Sequence, residues 1–290
     1  MNSKGYKSKI KLNDTVILSD QDGLQSITVQ PGESVQSRNG VFLHSDMLGK
    51  EYGSKMWSNK GKTYRWALHP TPELWTLSLP HRTQILYTPN ISLITSLLEL
   101  IPGTSVCESG TGSGSLSHAI ARTIAPTGHL YTYDFHAERV QQANDEFTAH
   151  GLSELVTCQC RDVCREGFNV ENYVTAIFLD LPNPWEVIPH CPKSFSPGYS
   201  RIVSFSPCVE QIQKSCIALR ESGFIDIQMH ECLSQQLQVS SCRITEARLD
   251  ESTDKREERH VLSVVPRLCM PSHTGYLLSA SYIKCNVHDL

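Results

Sequence analysis

Four carboxylates in this sequence follow apolar or strand-like runs: Glu108 in CESGTGSGS, Asp134 closing HLYTYD, Asp162 in CQCRDV and Asp180 in AIFLDLPNPWE. A carboxylate in such a place can accept hydrogen bonds from hydroxyl and amino groups or hold a cation. Between the first two lies a glycine run, Gly110, Gly112 and Gly114. Glycines there let the backbone turn tightly and approach a ligand where a Cβ would collide. A helix expected from about Ser115 would present free amides and its positive dipole end to whatever the turn holds. After Asp180 the chain reads Leu181, Pro182, Asn183, Pro184, Trp185. The two prolines fix φ and remove backbone donors, a stiff turn that would aim Asp180 and Trp185 in one direction.

The elements that must position these groups alternate from residue 104 onward. TSVCE, HLYTYD, LVTCQC, VTAIFLD, SRIVSFS, FIDIQMHECL and GYLLSASYI predict strands, while SLSHAIARTIA, HAERVQQANDEFTAHG and CVEQIQKSCIALRESG predict helices. That alternation predicts an α/β fold: a Rossmann-like, doubly wound, mostly parallel sheet with an antiparallel last strand. Residues 1–72 contain short β-like runs separated by Gly, Pro, Asn and Asp, which predict a small β-barrel-like N-terminal domain. Residues 73–290 make the main domain, with 73–103 a proline-rich linker and leading helix. The polar stretch at about 235–266, with DESTDKREER in its middle, predicts a mobile insertion.

Composition bounds the remaining choices. With 39% hydrophobic and 19% charged residues over 290 positions, the chain reads as an ordinary globular protein. It has no apolar stretch of membrane-spanning length and no secretory signal at its start. Eleven scattered cysteines suit reduced thiols inside the cell. Cys158, Cys160 and Cys164 lack metal-ligand spacing, so no metal is expected. Residues 1–70 hold ten Lys/Arg against six Asp/Glu, whereas 71–290 hold sixteen against 24. If any part faces a polyanion, it is the N-terminal one.

In open α/β sheets, ligands bind outside the carboxyl ends of the strands. A nicotinamide dinucleotide needs G-x-G-x-x-G, but serine stands at 115 and 117, where either register would put the third glycine. G-x-G-x-G preceded by Glu108 is the spacing of Rossmann-like methyltransferases. Their cofactor, S-adenosylmethionine, carries an ammonium and a sulfonium, for which nearby carboxylates are useful. Asp134 stands where an acid accepts from ribose hydroxyls, and Asp162 where one takes the adenine amino group.

HPTPELWT, LPHRTQILY, CESGTGSGS, IARTIAPTGHL, FLDLPNPWE, SFSPC and HTGYL, in this order and spacing, resemble the catalytic subunits of eukaryotic tRNA (adenine-N1-)-methyltransferase, which act on adenine 58 of the T-loop. The resemblance covers nearly the whole chain. It implies that Ser113, Gly114 and Ser115, with Leu86, lie against the methionine and sulfonium of the cofactor. Asp134, helped by Arg139, would bind the ribose, Asp162 with Val163 the adenine, and Asp180 matches the catalytic aspartate. Contacts to tRNA would come from Arg38, from Gln84, Ile85, Tyr87 and Thr88, from Ser204, Phe205, Ser206 and Pro207, and from His273. Trp185, Tyr87, Pro182 and Pro184 would shape the base pocket. Asp134 stands where relatives commonly have Glu, and Asn183 where they frequently have Ser. The resemblance further implies a nuclear protein working with a non-catalytic homologous subunit in a two-plus-two heterotetramer, with T-loop-like sites in mRNA as further targets. Two other readings compete. A methyltransferase for small molecules or proteins would not need the basic N-terminal part, and the non-catalytic subunit would not need the carboxylates and glycine turn.

Overall fold

The structure, a computed structural model, describes residues 7–79, 85–245, 258–267 and 274–285. It divides into two compact units, Met1–His230 with Gly275–Leu290, and Glu231–Thr274. In the first, β1 (Thr15–Asp20), β2 (Gly23–Thr28), β3 (Ser34–Ser37), β4 (Gly40–Leu43), β5 (Ser54–Trp57) and β6 (Tyr64–Leu68) come first. They pair as a four-stranded sheet in the order β2-β1-β6-β5 and a separate β3-β4 hairpin. Val16 and Leu18 of β1, Met56 of β5 and Ala67 of β6 close on Phe42, Met47 and Ile10 to make this region's core. β3 and β5 are short strands that sequence periodicity did not single out. Within the stretch read as a linker, α1 (Pro72–Ser78) forms, started by Pro72 in its first turn and capped by Thr71, whose hydroxyl accepts from the Leu74 amide.

Next come α2 (Thr88–Leu97), β7 (Ser105–Ser109), α3 (Ser115–Ile124), β8 (His129–Asp134), α4 (Ala137–Ala149), β9 (Val156–Cys160) and α5 (Val163–Glu166). Then follow β10 (Ala176–Leu179), α6 (Pro184–Val187), α7 (Cys191–Ser194), β11 (Gly198–Ser206), α8 (Val209–Glu221) and β12 (Ile225–Glu231). β13 (Leu237–Thr245) and β14 (Glu258–Pro266) precede the final β15 (Tyr276–Lys284). Seven strands form one sheet, β12-β15-β11-β10-β7-β8-β9. β9, β8, β7, β10 and β11 run parallel, and β15 lies antiparallel to β11.

Strand periodicity puts successive residues on opposite faces, so a sheet covered on both sides reads as an unbroken apolar run. Ala176 and Phe178 of β10 pack with α2, α3 and α4 through Ile94, Ile120 and Phe147. Ile177 and Leu179 face the other way, toward Val187, Ile212 and Leu219. The chain leaves β7 on one side for β8 and β9 and returns on the other for β10 and β11, so the switch point, where such sheets bind ligands, lies between β7 and β10.

The second unit holds β13 and β14, paired antiparallel from Leu237↔Pro266 to Thr245↔Glu258. The stretch expected as a mobile insertion therefore contains a nine-residue ladder. The reason is local: alternation in LQVSSCRIT and in the run ending HVLSVVP outweighs the charges between them, which fall at 246–257, outside the described residues. No helix among the described residues is long and apolar enough to cross a membrane.

Candidate active site

β7 ends at Ser109, and the chain turns through Gly110 at φ +95°. A Cβ on Gly110 would stand 2.2 Å from the carbonyl oxygen of Asp180. Only glycine lets the ends of β7 and β10 meet backbone to backbone, and the Asp180 amide donates to the Ser109 carbonyl at 2.9 Å. Gly110 and Thr111 amides donate to the Tyr133 carbonyl at 2.9 and 3.3 Å, which ties the turn to β8. Gly112 (φ +53°) donates its amide to Asp134 Oδ2 at 3.2 Å, while the His136 amide donates to Oδ1 at 3.0 Å. Gly114, left-handed at φ +72°, then starts α3.

Asp134 is buried, with the Arg139 guanidinium 4.0 Å from Oδ2. Asp162 is the N-cap of α5: Oδ1 accepts from the Cys164 amide at 3.1 Å, and Oδ2 lies 3.4 Å from Arg165 Nε. These groups line a cleft of about 550 Å³ with Gly110, Val163, Asp180 and Pro182, within the size range of small-ligand pockets. Among the lining residues that sequence does not single out are Phe135, His136, Arg161, Cys164 and Glu186. Each of the five stands within two positions of an expected residue, and that adjacency is the available signal. Arg161 is itself held in place, donating to the carbonyls of Gly167 and Glu166 at 2.7 and 3.2 Å, the C-terminal end of α5.

Two carboxylates carry unusual protonation. Burial pushes Asp180 up to about 7. Burial also raises Glu108 to about 7, opposed by hydrogen bonds from Ser117 and Thr132 and reinforced by the charges of Asp180 and Asp134. Glu108 is 1% exposed and accepts from the Ser117 hydroxyl at 2.5 Å. It lies beneath the turn, outside the cleft lining, so the expected direct use for a sulfonium does not fit its position. Behind α3, His118 Nδ1 meets the Gly114 carbonyl at 2.6 Å, and its Nε2 meets His150 Nδ1 at 2.8 Å. Burial lowers both histidines, His118 to about 4.

Other expected residues fall in different places. Ser115 is buried, its hydroxyl donating to the Leu86 carbonyl at 3.0 Å and pairing with Thr76 at 2.7 Å. Its side chain fastens the 85–87 segment rather than facing the cleft. The Leu86 side chain joins the core, and Ile85 is buried, while Tyr87 and Thr88 are exposed. Ser113 is partly exposed on the turn. Trp185 is partly buried on α6 with Lys214 of α8 4.6 Å from its ring. It is absent from the cleft lining, as is the buried Pro184. Helical geometry turns these side chains toward α8, whereas Asn183, just before the helix, stays in the lining and donates to Glu186 Oε1 at 3.2 Å. The Gln211 side chain donates to the Pro182 carbonyl at 2.9 Å and anchors the turn. Ser204, Phe205 and Ser206 are buried because β11 is central, so of that group only Pro207 is exposed. Arg38 is exposed in the β3-β4 turn. Gln84 and His273 lie outside the described residues.

Sheet order, antiparallel β15, and a glycine turn abutting an acid at the switch point define a class I, S-adenosylmethionine-dependent methyltransferase. Among solved structures, a SAM-dependent O-methyltransferase of Thermotoga maritima superposes with a TM-score of 0.78 at 26% identity over 96% of both chains. The tRNA (m1A58) methyltransferase TrmI of Aquifex aeolicus does so with a TM-score of 0.71 at 22% identity, covering 95% of this chain and 99% of that one. The chain belongs to the tRNA methyltransferase complex GCD14 subunit family, which matches residues 63–282. It is 44% identical over 263 residues to the tRNA (adenine(58)-N(1))-methyltransferase catalytic subunit trm61 of Schizosaccharomyces pombe, covering 87% of this chain and 71% of that protein. The Cryptococcus neoformans TRM61 catalytic subunit is 42% identical over 268 residues, and the match spans 88% of this chain but 62% of that protein.

Proposed function

We propose that this chain is the catalytic subunit that transfers the methyl group of S-adenosylmethionine to N1 of adenine 58 in the tRNA T-loop. The observation that carries the reading is Asp180, held against the Gly110 turn in the lining of a cleft it shares with Asp134 and Asp162. The residues present fit the cofactor. A carboxylate offers about four lone-pair sites, and the two backbone amides on Asp134 leave room for ribose hydroxyls, with Arg139 alongside. Asp162 and Val163 would take the adenine, and the turn at 112–115 with the 86 segment the methionine end. When bound, S-adenosylmethionine supplies an electrophilic methyl group on a sulfonium.

Adenine N1 already has a lone pair and loses no proton before attack; its difficulty is that the product is cationic. Ionised Asp180 would accept a hydrogen bond from the N6 amino group, raise electron density at N1 and stabilise the developing charge. The base must first leave the folded T-loop to reach this carboxylate. Pro182, its carbonyl accepting from the Gln211 side chain, would stiffen the turn that carries Asp180.

The same reading includes a non-catalytic homologous subunit in a two-plus-two heterotetramer, residence in the nucleus, and T-loop-like sites in mRNA. Supporting the partner is the acid excess of residues 71–290, sixteen basic against 24 acidic, because phosphate contacts dominate RNA affinity. The test is mass spectrometry of T-loop nucleosides after incubating unmodified tRNA and labelled cofactor with the chain, alone and with the partner. Labelled 1-methyladenosine at position 58 is expected with the partner present. Its absence there refutes the activity, and full activity from the chain alone refutes the partner requirement.

A further inference from the structure

In a sheet with one buried face, the outward positions are normally polar. The β5-β6 hairpin departs from this. Met56, Arg65 and Ala67 point into the core, so Lys55, Trp57, Tyr64 and Trp66 share the opposite face. There Trp57 is 52% exposed and Tyr64 and Trp66 are each 39% exposed. Register places Lys55 opposite Trp66 and Trp57 opposite Tyr64, a two-by-two tile. Ring centroids are 5.3 Å apart for Trp57 and Tyr64 and 5.9 Å for Tyr64 and Trp66, and Lys55 Nζ lies 4.1 Å from the Tyr64 ring and 5.2 Å from that of Trp66.

The loop joining the strands adds Lys60 and Lys62, both exposed. It is held by Ser58 N to Thr63 O at 2.9 Å, Gly61 N to Ser58 O at 2.7 Å and Asn59 N to Val41 O at 2.8 Å. Between Glu51 and Glu73 the sequence has no acid, and the hairpin's other cation, Arg65, is already paired with Asp20 at 2.7 Å. Scattered exposed aromatics are ordinary, but Tyr64 touching both tryptophans, with three lysines around them that have no ion-pair partner among the described residues, makes a platform with a polarity. Flat rings supply stacking surface to any base, and the ammonium groups supply phosphate contacts.

We propose that the β5-β6 face, Trp57, Tyr64 and Trp66 with Lys55, Lys60 and Lys62, none of which lines the methyl-transfer cleft, binds unpaired RNA nucleotides by stacking. The inference deepens the tRNA reading and rests on it for the identity of the RNA, but its assay requires no methylation. Rings favour nucleotides over an acidic peptide, which would use the lysines and leave the aromatic faces idle.

The test measures binding of the full chain to a fluorescein-labelled oligouridylate, to an RNA duplex and to polyglutamate by anisotropy. Single-stranded RNA should bind best. The combined Trp57→Leu, Tyr64→Leu, Trp66→Leu variant keeps apolar strand residues but no ring, and should lose about tenfold or more in single-strand affinity, with an unchanged thermal midpoint showing that it folds. If all three lysines meet phosphates, log affinity against log salt should fall with a slope of about −2. Lys55→Gln, Lys60→Gln, Lys62→Gln should bring that slope near zero. Retained affinity in a folded leucine variant, or equal binding of duplex or polyglutamate, overturns the proposal. A chain that binds oligouridylate through the rings yet methylates no tRNA fails only the activity above; one that methylates tRNA while its leucine variant still binds fails only the platform.

Discussion

Replacing Glu108 by Gln tests whether the acid beneath the glycine turn is kept protonated by the fold. Glu108 holds its proton up to about pH 7 in the folded chain, against an ordinary value of 4.5. Between those values the folded state binds a proton that the unfolded state has released, so folding becomes less favourable as pH rises. The loss proceeds at about 1.4 kcal/mol per pH unit and totals about 3 kcal/mol by pH 7. Its contribution is whole below pH 4.5 and gone above about 7. Glutamine is the neutral isostere: its carbonyl accepts from Ser117 as the carboxyl oxygen does, and it never ionises. Urea unfolding of both proteins at pH 5, 6, 7 and 8 is the assay. The variant should exceed the wild type by less than about 1 kcal/mol at pH 5 and by about 3 kcal/mol at pH 8. The variant-minus-wild-type difference cancels contributions common to both proteins, those of the histidines behind α3 included. A difference that stays flat with pH, or a variant destabilised most at pH 8, would falsify the assignment of a buried, protonated acid at this position.

Four further outcomes are expected. Asp180→Asn should bind cofactor normally but lose about a hundredfold or more in methylation rate. Because burial raises Asp180 to about 7, wild-type kcat/KM on tRNA should climb with pH and level off above that value as the carboxylate ionises; a pH-independent profile from 5.5 to 8.5 counts against its role. Gly110→Ala should abolish cofactor binding in equilibrium dialysis and lower the thermal midpoint, because its Cβ meets the Asp180 backbone at 2.2 Å; a normal affinity would show that the turn relaxes freely. His118 is lowered to about 4 by burial from an ordinary 6.5, so the unfolded chain takes up a proton the fold refuses and stability should fall as pH drops through that window. His118→Asn should flatten this acid limb in chemical denaturation; a limb as steep as the wild type's would place its cause elsewhere.

Much of this molecule was already written in local sequence. Alternating apolar runs and amphipathic helices specify a doubly wound sheet, because strands covered on both faces and helices covered on one leave different periodicities. Glycine spacing and strand-end acids marked the cleft for the same local reason, since backbone freedom and charge are properties of single residues. What only the tertiary structure decided is which of those residues share a space. Glu108 and Ser115 look like ligand groups in sequence but turn their side chains inward, one beneath the turn and one onto the Leu86 carbonyl. Trp185 packs beneath Lys214 because a helix starts at Pro184, and β13 pairs with β14 because a ladder satisfies backbone groups that composition alone does not count. The tile on β5 and β6 depended on register, and a one-residue slip would have buried its rings. Sequence determined the kinds of chemistry available and the order in which the chain presents them. Long-range packing decided which groups face one another, because contacts such as Gly110 against Asp180 join residues whose separation along the chain carries no local signal.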